Sequence, residues 1–366
     1  MPVPLIDLVR QYNSMKSEID GAVARVWSHG QFILGKEVKD FEDLTAQKCG
    51  VAEAVGVASG SDALLLAMHA IGIGPGDEVI LPTFTFFATA SCVSRLGATP
   101  VFADIGADYN LDPEDTARKI TRRTRAIIVV ELYGQMGDMS SLRELSLDHG
   151  LYLIEDAAQS IGASYDGFVA GSCGDAACFS FFPTKNLGGA GDGGMVASDD
   201  HEFIERVRLL RGHGAHPKYY HKLVGYNSRL DALQAAILKA KLSHLDRWTQ
   251  MRRKHADVYD RELSGTGDIK TPHRRPNANH IFHQYTIATA RRDQLRAGLQ
   301  TAKIGTEVYY PVPLHLQECY AYLGGTTGDC PQGEKAARTA LSLPIFPEMT
   351  ESEQSEVIDA IKQFYR

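Results

Sequence analysis

The sequence predicts an α/β fold, with a large domain of alternating strands and helices followed by a smaller α+β domain. Three observations carry this. Short apolar runs alternate with helical patterns up to about residue 210, the order that places helices against a sheet. Ala126–Val130 is apolar at every position, as a strand covered on both faces requires. Several runs end in small or polar residues, and open α/β sheets bind ligands beyond the carboxyl ends of their strands. A chain of 366 residues, 44% of them hydrophobic, suits one large domain and a smaller one. We divide it at 1–245 and 246–366.

The elements follow in order. Ile19, Val23 and Val26 fall at helical spacing and predict a helix over Tyr12–Trp27; Val38, Phe41 and Leu44 predict a second over Lys36–Cys49. Ala54–Ala58 reads as a buried strand running through Ser59-Gly60-Ser61-Asp62 into a helix. Free N–H groups and the helix dipole make such a turn an anion site; taken alone, an ordinary Ser or Asp N-cap accounts for it better. Glu78–Leu81 is a strand ending at Pro82. Thr83–Phe87 follows, then a helix over Ala88–Leu96. Phe86, at that junction, is placed to stack on a flat ring, although most aromatics are simply core. Thr99–Ala103 is the next strand, and Asp112 caps a helix with Pro113 at its first position. Ala126–Val130 leads into the polar Glu131–Gln135, and a helix spans Ser140–His149. Leu151–Ile154 is a strand with Glu155-Asp156-Ala157-Ala158-Gln159 at its carboxyl end. Asp156 is either a carboxylate facing a ligand or a helix N-cap.

The stretch Gly174–Gly194 is the most informative. An apolar run, Ala176–Phe182, stops at Pro183; Lys185 follows, and five glycines fall between Gly188 and Gly194. A lysine on a glycine-bounded loop after a buried strand is poorly explained as a solvated charge. Buried lysines shift pKa readily and form Schiff bases, so Lys185 is predicted to bind pyridoxal 5′-phosphate (PLP). The phosphate falls to Ser59, Gly60 and Ser61, with Ser180 in reach on the strand before the lysine. Asp156 would pair with a pyridinium nitrogen. Gly189–Gly194 also satisfies G-x-G-x-x-G, but a strand, Met195–Ser198, follows the glycines where a dinucleotide fingerprint needs a helix.

Beyond residue 210 the pattern changes. Arg211–His221 is a histidine-rich loop without metal-ligand spacing. A long helix from Ala232 to about Tyr259, with Asp231 as its cap, bridges to the smaller domain. There Gln284–Ala288 and Gly305–Tyr309 read as strands around a helix over Gln294–Lys303. Pro311–His315 and Leu343–Pro347 are Pro-rich connectors, and a helix over Glu351–Phe364 ends the chain.

Composition narrows the function. A net charge of −7 argues against nucleic acid as a partner. The six cysteines show no CxxC spacing, so neither a disulfide framework nor a metal site is expected; Cys173 and Cys178 read as packed small residues. Met1–Asp7 lacks the basic and apolar regions of a signal peptide. The longest aliphatic run is far short of the ~20 residues a membrane span needs. A cytoplasmic protein without membrane contact is expected.

With these motifs in order, the chain resembles the DegT-like nucleotide-sugar aminotransferases, within the fold-type I PLP enzymes of aspartate aminotransferase architecture. The marks are Ser59-Gly-Ser, Pro82-Thr-Phe-Thr-Phe, Leu132-Tyr-Gly-Gln, Glu155-Asp-Ala-Ala-Gln, Phe179-Ser-Phe-Phe-Pro-Thr-Lys, Gly191-Asp-Gly-Gly, Arg211-Gly-His-Gly, Asn227-Ser-Arg-Leu-Asp and Leu341-Ser-Leu-Pro. The resemblance covers nearly the whole chain. It implies a mixed, mostly parallel seven-stranded sheet between helices. It also implies Lys185 as Schiff-base lysine and proton shuttle, Asp156 at the pyridine nitrogen, Gln159 by the ring face and its 3-oxygen, and Phe86 on the opposite face. Gly60, Ser61 and Ser180 are implied to hold the phosphate, and Asn227 to reach the phosphate of a neighbouring subunit in a homodimer. His213, Arg229 and Tyr309 are candidate substrate contacts. Glu131 and Tyr309 stand where many relatives have histidine, near the expected sugar site.

The activity this implies is ping-pong transamination from L-glutamate to a nucleotide-linked keto-hexose. The motifs resemble the 3-aminotransferases more than the 4-aminotransferases. A UDP-linked 2-acetamido-3-keto sugar or uronic acid is favoured over a dTDP-3-keto-6-deoxyhexose. The alternatives are a PLP-dependent dehydratase or lyase, against which Lys185 speaks, and a regulator that keeps the fold without the chemistry.

Overall fold

The computed structural model of the protein describes residues 2–366. Seven strands build the main sheet: β1 (Glu53–Val57), β2 (Glu78–Pro82), β3 (Thr99–Ala103), β4 (Thr124–Val130), β5 (Tyr152–Asp156), β6 (Ala176–Ser180) and β7 (Gly194–Ser198). Their order is β1-β7-β6-β5-β4-β2-β3. β7 runs antiparallel to both its neighbours, while β3, β2, β4, β5 and β6 are parallel. This is the mixed, mostly parallel α/β sheet that the sequence predicts.

Both faces of the sheet are covered, which is why its strands read as continuous apolar runs. Along β4, Ile128 belongs to one core with Leu81, Ile154 and Val196, while Ile127 and Val129 belong to another with Ile80 and Leu153. The helix Gly60–Ala70 buries Leu64, Leu65, Leu66, Ala67 and Met68 together; a helix apolar nearly all round belongs inside the molecule.

A separate core forms around a two-stranded antiparallel sheet, β8 (Tyr285–Ala288) and β9 (Ala340–Leu343). The helices Leu245–Leu263, Arg292–Thr301 and Glu351–Tyr365 supply Tyr259, Leu295, Leu299, Val357 and Ile361 to it. Val3 joins this core and bridges to Ile304. Arg10 pairs with Glu353 at 2.8 Å, inside the Thr350–Glu353 capping box that starts the last helix.

Most predicted elements form within a residue or two of their expected limits, and Lys36–Cys49 and Thr99–Ala103 form as read. Four places differ. Tyr12–Trp27 is two helices, Leu8–Ser14 and Lys16–His29, separated at Met15, whose φ of −135° leaves the helical region. The bridging helix over Ala232–Tyr259 is also two, Ala232–Leu242 and Leu245–Leu263. A 3.0 Å bond from His244 N to Lys241 O tightens the chain there. Gly305–Tyr309 is no strand, because its backbone bonds are divided: Gly305 N donates to Val3 O, and Glu307 exchanges bonds with Ser342. The partner of β8 is β9, which follows a helix over Pro331–Thr339 and is not among the predicted strands; the Leu343–Pro347 connector leaves from its last residue.

Candidate active site

The parallel strands end on one edge of the sheet, and the segments leaving them converge. Asp156 is the last residue of β5. It is buried, accepts 2.8 Å from Thr89 Oγ1 and 3.3 Å from Ala158 N, and no helix begins there, so the N-cap alternative does not hold. Burial pushes its pKa up, opposed by the Thr89 bond and then by the charge of Lys185.

Lys185 lies beyond β6 in a tight turn closed by its own N–H to Phe182 O at 2.9 Å. A side chain at Gly188 would place Cβ 2.2 Å from Pro183 O, so this turn requires glycine. Burial lowers the Lys185 pKa to about 8, against the attraction of Asp156. Behind the turn, the buried Lys241 donates to Gly188 O, and burial lowers its pKa to about 8 as well.

Ser59 caps the helix Gly60–Ala70, its hydroxyl accepting from Asp62 N at 3.1 Å. It is therefore an ordinary cap and also lines the cavity below. Ser180, at the end of β6, packs against Gly60 so closely that a Cβ on Gly60 would lie 2.6 Å from Ser180 Cβ.

These groups line one cavity of about 430 Å³, together with Thr85, Phe86, Gln159, Phe182, Asp192, His283, Gln284, Tyr309 and Tyr310. Phe86, in this lining, is 56% exposed. Gln159 is held at both ends: Oε1 accepts from Tyr133 N at 2.7 Å, and Nε2 donates to Tyr310 Oη at 3.3 Å. Asn227 and Arg229 line an adjoining cleft that shares Ser59 and Asp192 with the cavity, and Arg229 donates to Asn227. His213 is exposed on the loop after Arg211 and lines neither space. Nine of the sequence-derived site residues thus meet in the first cavity: Ser59, Gly60, Ser61, Phe86, Asp156, Gln159, Ser180, Lys185 and Tyr309.

Glu131 does not face this cavity. It is fully buried, its Oε2 accepting from the Ser160 hydroxyl and its carboxyl lying beside that of Glu155. Burial and the adjacent Glu155 carboxylate push its pKa far above the usual range. Glu155 itself takes backbone N–H groups from Gly171, Cys173 and Gly174 at 2.6–2.8 Å.

Sequence reasoning missed Thr89, Tyr310, Asn186, His283 and Gln284. Thr89 lies inside an apolar helix pattern and has no signal of its own. His283-Gln284 stands at the entry to β8, and Tyr310 follows the chosen Tyr309; a polar pair at a strand entry could have drawn attention.

The donor set fits PLP. A glycine-bearing helix N-terminus against a serine suits a phosphate. A buried carboxylate with no ion pair among the described residues suits a protonated ring nitrogen, and a lysine of lowered pKa suits a carbonyl.

Residues 13–362 match the DegT/DnrJ/EryC1/StrS aminotransferase family, and the chain belongs to it. It is 51% identical to a pleiotropic regulatory protein of Geobacillus stearothermophilus, covering 100% of this chain and 99% of that one. It is 45% identical to the dTDP-3-amino-3,4,6-trideoxy-α-D-glucose transaminase of Streptomyces venezuelae, over 99% and 96% of the two chains. With the UDP-N-acetyl-3-dehydro-α-D-glucosamine 3-aminotransferase of Acidithiobacillus ferrooxidans the identity is 44%, over 99% and 97%. Among solved structures, that of S. venezuelae DesV in complex with a ketimine intermediate superposes with a TM-score of 0.97 at 45% identity, over 100% and 99%. NtdA of Bacillus subtilis with bound cofactor PMP gives 0.92 at 29% identity, over 100% and 85%.

Proposed function

We propose that this member of the DegT/DnrJ/EryC1/StrS aminotransferase family uses PLP to move an amino group from L-glutamate to the 3-keto position of a nucleotide-linked hexose. The substrate class we favour is a UDP-linked 2-acetamido-3-keto sugar or uronic acid; a dTDP-3-keto-6-deoxyhexose or a 4-keto sugar is the alternative within the same chemistry. The observation that carries the reading is the convergence of Lys185 and Asp156 in one cavity with the Ser59–Ser61 turn. The 3-position names of the Streptomyces and Acidithiobacillus relatives support the regiochemistry.

PLP would supply an electron sink for the carbanion formed at the reacting carbon. Asp156 would hold the ring nitrogen protonated, with Thr89 fixing the carboxylate. Ser59, Gly60, Ser61 and Ser180 would bind the phosphate. Phe86 would cover one ring face, and Gln159, clamped by Tyr133 and Tyr310, would lie by the other. Lys185 Nζ would take the proton from the amino-acid Cα in one half reaction and deliver a proton to the sugar C3 in the other. A pKa of about 8 lets one amine both hold and release that proton near neutral pH.

We also propose a homodimer in which Asn227 reaches the neighbouring phosphate. The exposed Phe86, Phe87 and Phe182, beside or within the cavity lining, support a covered surface there. His213 and Arg229 are proposed substrate contacts in that assembly.

The regulatory name of the Geobacillus relative favours a second reading, a regulator without chemistry. The two readings part on the visible absorption of the purified protein. Enzyme chemistry predicts a bound-cofactor band that L-glutamate converts to the band of the amine form, and that is absent from Lys185→Ala. A protein that takes up no chromophore when PLP is supplied would leave the regulator reading standing.

A further inference from the structure

His283 enters the cavity from a segment whose conformation is heavily constrained. Phe282 holds a φ of 49°, a left-handed value that a bulky residue adopts only when its surroundings impose it. Ile281 N donates to Gly134 O at 2.9 Å and Gln284 N to Tyr133 O at 3.3 Å. The buried Arg252 donates to the carbonyls of Phe282, His283 and Ile345. His280 accepts from Phe282 N at 2.9 Å and stacks on its ring with centroids 3.9 Å apart. Backbone strain held this firmly at a cavity wall points to a side chain that has to stand in one place.

The ring of His283 is oriented as well. Nδ1 lies 3.0 Å from Asn186 Oδ1, and Asn186 Nδ2 faces Ile281 O at 3.5 Å, which fixes the amide with its oxygen toward the ring. An amide oxygen only accepts, so Nδ1 carries the proton and Nε2 keeps its lone pair. Nε2 has no partner among the described residues. Burial and the Lys185 charge hold the ring neutral. Tyr310, whose oxygen already accepts from Gln159, has its hydroxyl proton free to donate. His283 Nε2 and the Tyr310 hydroxyl therefore give the cavity wall an acceptor and a donor away from the phosphate turn, next to Gln284, whose Oε1 is also unpartnered among the described residues.

We propose that His283 is a specificity-determining residue: its Nε2 accepts a hydrogen bond from a hydroxyl or amide N–H on the sugar ring of the keto substrate. This rests on the nucleotide-sugar reading above and refines it, since a wall with a fixed acceptor selects sugars that carry a donor beside the reacting ketone over their deoxygenated analogues. Asn186, the residue after Lys185, is a positioning residue that sets the tautomer.

The test uses the PLP-loaded protein and two readouts. In protein labelled with 15N-histidine, the His283 resonances should report a protonated Nδ1 and a bare Nε2. The Nε2 signal should move on adding a UDP-linked amino sugar that carries the neighbouring donor, and stay in place with the matched deoxy analogue. In single-turnover assays of the amine form, His283→Phe should lose about 10- to 100-fold in rate with the donor-bearing keto sugar and far less with the deoxy one. His283→Gln, which keeps an acceptor oxygen, should recover part of the loss. Equal loss with both sugars, or an Nε2 signal indifferent to both, would overturn the assignment. Absence of any glutamate-dependent band in the wild type would instead strike the aminotransferase reading, while the nitrogen signals would still decide whether His283 meets the sugar.

Discussion

Lys185 offers the sharpest quantitative test because two opposing influences set its pKa. Burial lowers it from 10.5 to about 8, and the Asp156 carboxylate holds it up against further decline. At pH 7 an amine of pKa 8 is about one-tenth neutral, and one of pKa 10.5 about one part in 3,000, a difference of about 300-fold in reactive form. The apoprotein should therefore be acylated at Lys185 by acetic anhydride with a pH–rate midpoint near 8, read by mass spectrometry of the peptide containing Lys185. An amine of ordinary lysine pKa would instead give a midpoint of about 10.4. In Asp156→Asn the supporting charge is gone, so the midpoint should fall below that of the wild type. A lower pKa also makes the amine a weaker nucleophile, which reduces the plateau rate but leaves the midpoint in place. A wild-type midpoint near 10, or an upward shift in Asp156→Asn, would refute the claim that burial and Asp156 together poise the lysine.

Two further predictions concern the cradle and the buried acid pair. Gly60→Ala puts a Cβ 2.6 Å from Ser180 Cβ, so the turn and the end of β6 must separate; about 1–3 kcal/mol of overpacking, roughly 5- to 150-fold in PLP Kd, should appear in a spectroscopic titration, and unchanged affinity would mean that this contact does not shape the phosphate site. Glu131 has a folded pKa raised far above 4.5, so the stability it contributes is complete below pH 4.5 and is lost as pH rises toward its folded value; Glu131→Gln can keep the Ser160 bond and donate to Glu155. The variant's Tm should therefore decline less than the wild type's between pH 5 and pH 8, and parallel declines would show that Glu131 does not titrate in that way.

The sequence made the site legible wherever a strand announced its own end. Val57, Asp156 and Ser180 close β1, β5 and β6, and in a parallel sheet such ends share an edge. Ser59–Ser61, Asp156, Gln159, Ser180 and Lys185 could thus be grouped before their distances were known. The antiparallel β7 was legible for a related reason: glycines followed by Met195–Ser198 place a strand, not a helix, after the loop. Breaks within helices were not legible, because Met15 and His244 are acceptable helical residues and only tertiary packing parts the chain there. Gly305–Tyr309 had a strand's composition, but its partners Val3 and Ser342 lie at opposite ends of the sequence.

Residues that act across the fold were the hardest to find, and Lys241 shows why. On its helix it reads as a charge beside Ala240 and Leu242, suited to a solvated face. In the fold it is buried, and its ammonium satisfies the carbonyl of Gly188, in the turn where Pro183 O leaves no room for a Cβ. A loop that needs several glycines has few side chains with which to satisfy its own carbonyls, and a buried carbonyl without a donor is costly. The donor must then come from elsewhere in the chain, and nothing in the local sequence of the loop can name it. Asn186 toward His283, Thr89 toward Asp156 and Arg252 toward the 282–283 carbonyls follow the same logic. The chemistry-bearing residues of this site stand at strand ends that the sequence marks, whereas the residues that hold them still come from segments whose own patterns are already explained by helix and core.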